Sequence, residues 1–136
     1  MKTVLFLCTG NSCRSQMAEA IVNARYSDQW RAFSAGTKPA GYVHLMATQA
    51  LAEIGISHSG QSKHIDELPK KDFDLVVTVC DSAAEECPVW PGKAGRRVHY
   101  SFVDPAKAEG MDEERMAVFR RVRSEMEDVI PELLTE

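Results

Sequence analysis

Strand-like and helix-like segments alternate along this chain, and the alternation predicts an α/β fold: an open parallel sheet sandwiched between helices on both faces. Three observations carry the prediction. Two apolar runs rich in β-forming residues, Lys2–Cys8 and Phe73–Cys80, read as strands buried on both faces. Arg14–Tyr26 places Met17, Ala20, Ile21 and Ala24 on one face, the spacing of an amphipathic helix. No repeat, low-complexity stretch or linker interrupts the 136 residues, so residues 1–136 are expected to form a single domain.

The remaining elements follow in order. Ala32–Ala35 reads as a short strand ended by Gly36. His44–Ile54 reads as a second helix, with Leu45, Ala47, Leu51 and Ile54 available to the core and Gly55 as its stop. After Phe73–Cys80 comes a Pro- and Gly-punctuated segment from Asp81 to Gly95, then a strand over Arg97–Phe102. The last helix starts near Asp112 and carries Met116, Phe119, Val122, Met126, Val129 and Ile130 on one stripe, with Pro131 expected to mark an irregular final turn.

Composition excludes several classes. The net charge is −4 and no basic face stands out, which argues against nucleic-acid binding. No apolar run approaches the ~20 residues that span a bilayer. The N-terminus carries no cleavable leader pattern, so a cytoplasmic protein is expected. A chain of this length buries roughly two thirds of its unfolded surface and needs no staple or metal. Four cysteines in a reducing compartment therefore point to thiol chemistry or metal binding.

In open parallel sheets, ligands bind at the carboxyl ends of the strands. Cys8 falls at the end of the first strand, Cys80 at the end of the third, and Asp104 just past the fourth. The segment Cys8-Thr9-Gly10-Asn11-Ser12-Cys13-Arg14-Ser15 then has the pattern C-x5-R-S between a buried strand and a helix. Small loop residues let successive N–H groups turn inward as an anion nest. The following helix points its positive end at the same place, and Arg14 adds a planar fork suited to a tetrahedral oxyanion. Gly10 and Asn11 suit unusual backbone angles. Such surroundings favour the thiolate of Cys8, with the Ser15 hydroxyl as its hydrogen-bond donor. Cys13 lies inside the loop, where its backbone N–H matters more than its sulfur.

The C-x5-R-S loop, followed near the C-terminus by Asp104-Pro105, resembles the low-molecular-weight protein tyrosine phosphatase fold. With Cys80 and Cys87 added, the chain resembles the thioredoxin-coupled arsenate reductases built on that fold. The resemblance covers essentially the whole chain and implies a four-stranded parallel sheet in the order 2-1-3-4. It also implies a cysteine relay that reduces arsenate to arsenite. Cys8 is the nucleophile, Arg14 and the loop hold the oxyanion, and Asp104 is the acid. Cys80 and then Cys87 resolve the adduct into a disulfide that transient binding of reduced thioredoxin clears.

No bound cofactor and no metal are expected, and a monomer is. Some relatives bind a monovalent cation beside the loop; Asn11, Glu19 and Ser34 match three of its ligands, with the fourth position falling near Lys63, and no ion is assigned. Residues 81–86 have helix-forming composition, and a short helix that loosens when Cys80 and Cys87 pair is expected there. A zinc site of Cys8, Cys13, Cys80 and Cys87 is disfavoured by Arg14 among the ligands. The four histidines read as surface or satisfied core residues, and Trp30 and Trp90 as packing. Two other readings compete. A phosphotyrosine phosphatase would share the loop and acid, although Ala106-Lys107-Ala108-Glu109-Gly110 lacks the tyrosines that typically follow Asp-Pro in eukaryotic members. A thiol-based redox or arsenical sensor would need an unseen partner.

Overall fold

The computed structural model describes residues 1–81 and 87–135. Its elements are β1 (Lys2–Cys8), α1 (Arg14–Arg25), β2 (Trp30–Gly36), α2 (Leu45–Ala52), β3 (Asp72–Thr78), β4 (Lys93–His99) and α3 (Asp112–Leu134). The four strands form one parallel sheet ordered β2-β1-β3-β4. No helix among the described residues is long and apolar enough to cross a membrane. The short helix expected over 81–86 lies outside the described residues beyond Asp81.

β1 sits at the centre because its apolar run serves both faces. Val4, Phe6 and Cys8 join Leu75 and Val77 beneath all three α-helices, where Met17, Leu51 and Phe119 pack. Leu5, Leu7 and Val76 face the other way, towards Phe73, Leu68 and Trp90. That second face is covered thinly: among the described residues it carries a 3-10 turn, Ile65–Glu67, and no α-helix.

The largest departure from the sequence reading is β4, which runs Lys93–His99 instead of Arg97–Phe102. Gly95 reads in sequence as a breaker, yet here it lets the edge strand close on β3: a Cβ on it would sit 2.7 Å from the Asp74 carbonyl oxygen. The alternating half-burial of β4 is that of an edge strand, so no apolar run announced it. α3 continues through Pro131 to Leu134, since a missing N–H within the final turn costs one bond only. Arg96 of β4 donates to the Leu133 carbonyl (2.7 Å) and so satisfies an open carbonyl at that helix end.

Three chain ends now meet at the carboxyl edge of the sheet: the β1–α1 loop, the two residues after β3, and the segment after β4. Gly36 closes the contact from β2. It lies beside Cys8 in register, and a Cβ there would fall on the Thr9 carbonyl oxygen. Gly36→Ala is therefore expected to shift the loop at a cost of about 1–3 kcal/mol. Urea unfolding together with phosphate affinity checks this; unchanged values in both would refute it.

Candidate active site

Cys8 ends β1 with its side chain buried and its Sγ 2.9 Å from Ser15 Oγ. The Asn11 backbone N–H also donates to that sulfur, at 3.3 Å. Asn11 Nδ2 donates to Ser15 Oγ (2.8 Å), which leaves the Ser15 proton free for the sulfur. The positive φ of the loop, 49°, belongs to Asn11 and not to Gly10. The loop's carbonyls are committed elsewhere: those of Thr9, Gly10 and Ser12 accept from the backbone N–H groups of Lys38, Ala40 and His44. Acceptors that would repel an anion are thereby tied to the 38–44 segment.

A cavity of about 310 Å³ opens in front of the loop, bounded by Cys8 to Arg14 and by Lys38, Asp104 and Lys107. Arg14 is only 4% exposed; it donates to the Phe102 carbonyl (3.3 Å) and lies 3.6 Å from Asp104. The other Asp104 oxygen accepts from the Ala106 N–H (3.0 Å), capping the 3-10 turn Pro105–Lys107 and fixing the carboxyl at the cavity mouth. Burial pushes the Cys13 thiol up to about 12, with smaller upward contributions from Asp104 and Cys8, so this sulfur stays protonated. Cys13 contributes wall, not nucleophile.

Behind the loop lies a polar network. Asn11 Oδ1 accepts from the Lys63 backbone N–H (2.9 Å) and from Gln16 Nε2 (3.0 Å). Gln16 Oε1 meets His58 (2.8 Å), and Glu19, 3.9 Å from that imidazole, accepts from the Ser34 hydroxyl (3.1 Å). The Lys63 ammonium donates to the Ser34 carbonyl (3.1 Å). Burial raises the Glu19 pKa, while Lys63 and the Ser34 hydroxyl pull it back. Burial lowers that of His58, and Lys63 adds to the effect. Asn11, Glu19 and Ser34 thus share one network, with a protein cation in it.

Cys80 and Cys87 are joined by a disulfide, their Cα atoms 5.8 Å apart. Cys80 is fully buried and Cys87 half-buried. Cys87 lines a second cavity that shares Thr9 and Lys38 with the first, so the cavity at the outer sulfur adjoins the anion site. Sequence reasoning missed Lys38, Lys107, Gln16 and the part played by Lys63. Gln16 had a signal, as a polar residue one turn into the helix that follows the loop. The lysines had none, because only the sheet order brings them to the cavity.

Residues 3–136 match the family model described as low molecular weight phosphotyrosine protein phosphatase. The arsenate reductase of Halalkalibacterium halodurans is 52% identical over 92% of this chain and 89% of its own. That of Bacillus subtilis is 45% identical over the same shares. Among solved structures, the arsenate reductase of Archaeoglobus fulgidus superposes with a TM-score of 0.77 at 36% identity, covering 98% of this chain and 99% of that one. The chain belongs to the low molecular weight phosphotyrosine protein phosphatase family, alongside the arsenate reductases that share its fold.

Proposed function

We propose that this protein reduces arsenate to arsenite by a three-cysteine relay and is recharged by thioredoxin. The observation that carries the reading is the Cys80–Cys87 disulfide beside a Cys8 anion loop. A phosphatase needs one sulfur and an acid; two-electron reduction needs a second thiol, and moving the resulting disulfide away from the anion site needs a third.

The loop amides and Arg14 hold the oxyanion while the Cys8 thiolate attacks arsenic. An oxygen leaves as water with a proton from Asp104. The Cys80 thiolate then attacks Cys8 Sγ, the S–As bonding pair stays on arsenic, and arsenite departs. The Cys87 thiolate attacks Cys80 Sγ and frees Cys8. With Cys80 buried and Cys87 half-buried, an external dithiol meets Cys87 first. Lys38 and Lys107 add positive field at the cavity and favour entry of the anion. The proposed setting is the cytoplasm, with the protein acting as a monomer.

Arsenate-dependent NADPH consumption with thioredoxin and thioredoxin reductase tests the whole scheme. No consumption above an arsenate-free control would end it. Phosphatase activity is a second reading, favoured by the Cys8, Arg14 and Asp104 arrangement, which serves phosphoryl transfer equally well. It predicts hydrolysis of an aryl phosphate that survives loss of Cys80 or Cys87.

The monovalent-cation question also resolves into an expectation. The fourth position of the implied site falls near Lys63, whose ammonium already supplies a positive charge against Ser34 and Glu19, and a free ion would be repelled there. The residues present do not fit the ion. Turnover at constant ionic strength is expected to be the same in potassium and in tetramethylammonium salts. A specific potassium activation would contradict this.

A further inference from the structure

Sequence reasoning assigns His99 no role, but the fold brings it to the redox pair. The ligating atoms of Cys80, Cys87 and His99 all lie within 4.8 Å of one another. They come from different parts of the chain: Cys80 follows β3, Cys87 lies seven residues on, and His99 ends β4. Both ring nitrogens of His99 meet hydroxyls, Nδ1 at Thr78 Oγ1 (2.7 Å) and Nε2 at Ser101 Oγ (2.9 Å). A hydroxyl on one ring nitrogen is the outer contact that orients a metal-ligating imidazole, while the other nitrogen exchanges its hydroxyl for the metal. A cavity of about 280 Å³, bounded by Thr78, Pro88, Trp90, Arg97 and His99, opens beside the imidazole.

We propose that the reduced protein binds one zinc ion through the thiolates of Cys80 and Cys87 and the imidazole of His99, with water in the fourth position. Tetrahedral zinc holds such donors roughly 3.6–3.8 Å apart, so reduction must part the two bonded sulfurs by about 2 Å while the imidazole stays within reach. Binding forms two Zn–S bonds and one Zn–N bond and releases two thiol protons to solvent; no electrons move. The disulfide and the metal site are then mutually exclusive states of the same sulfurs. Zinc occupancy holds both resolving thiols away from Cys8 and stalls the relay reversibly.

This inference rests on Cys80–Cys87 being a reducible pair, and the experiment separates the two. The full chain is reduced anaerobically, freed of reductant, counted for thiols and titrated with Co²⁺, then with Zn²⁺ as competitor. Reduction is expected to expose two further thiols. One equivalent of Co²⁺ should give a sulfur-to-cobalt charge-transfer band that Zn²⁺ abolishes. The band should be absent from the disulfide form and from Cys87→Ser, and His99→Ala should weaken binding about tenfold or more. Circular dichroism confirms that the variants are folded.

Two new thiols with no band would overturn the zinc site and leave the relay standing. A band that survives Cys87→Ser, or that His99→Ala leaves at full affinity, would also overturn it. If reduction exposes no new thiols, the relay and the zinc site fall together.

Discussion

A Cys87→Ser variant is expected to make one arsenite per chain and then stop. Cys8 and Cys80 still hold the two electrons that arsenate requires, so the first turnover runs to a Cys8–Cys80 disulfide. Without Cys87 no internal thiol can move that oxidation outward. Cys80 is fully buried and Cys8 is 2% exposed, so an external dithiol has poor access to either sulfur. Multiple turnover with thioredoxin should disappear, while a rapid-quench assay should still record one equivalent of arsenite. Hydrolysis of an aryl phosphate at Cys8 should persist, because that reaction uses neither resolving thiol. Sustained turnover in this variant would break the relay at its last step. Cys80→Ser is expected to lose even the single equivalent, which separates the two positions.

The parts of this design that could be read beforehand share a physical cause. β1 was legible to the residue because its apolar run must be buried on both faces and must stop where the polar loop begins. The loop was legible because small residues, a cysteine and an arginine at fixed spacing have few other uses between a strand and a helix. β4 was displaced because an edge strand half-buries only alternate residues, and its Gly95 reads as a break until the neighbouring strand is known.

The polar network behind the loop was the least legible feature. Gln16 lies on α1, Ser34 on β2, and His58 and Lys63 on the loop after α2, and each alone reads as an ordinary surface or helix residue. Burial supplies what sequence does not: Gln16 and Ser34 are fully buried, and buried polar groups require partners. His99 is exposed, and its place beside the disulfide depends on the register of β3 with β4, which the sequence does not show.

Asn11 is where the legible loop and the hidden network join, and Asn11→Ala is expected to be the most destabilising single change in the site. Its side chain is fully buried and serves three neighbours at once: Ser15, Gln16 and the Lys63 backbone. Truncation leaves the Lys63 N–H without its acceptor, at about 1–3 kcal/mol, and removes two further bonds worth about 1 kcal/mol each. Alanine also tolerates the left-handed backbone at φ 49° less well than asparagine, adding about 1 kcal/mol. The total, about 4–6 kcal/mol, is a large part of the 5–15 kcal/mol that holds a typical domain together. Asn11→Gly isolates the backbone share, since glycine accepts that φ freely while losing the same bonds; it should unfold at a urea midpoint above that of Asn11→Ala and below that of the parent. Both variants also release Ser15 from its amide donor, so its hydroxyl is no longer directed at Cys8 Sγ and the sulfur's nucleophilicity should fall. Thiol alkylation at neutral pH, in a background where Cys8 is the reactive cysteine, reads that second effect separately from unfolding. Equal stability of the parent and both variants would mean that the network follows the loop's shape instead of setting it.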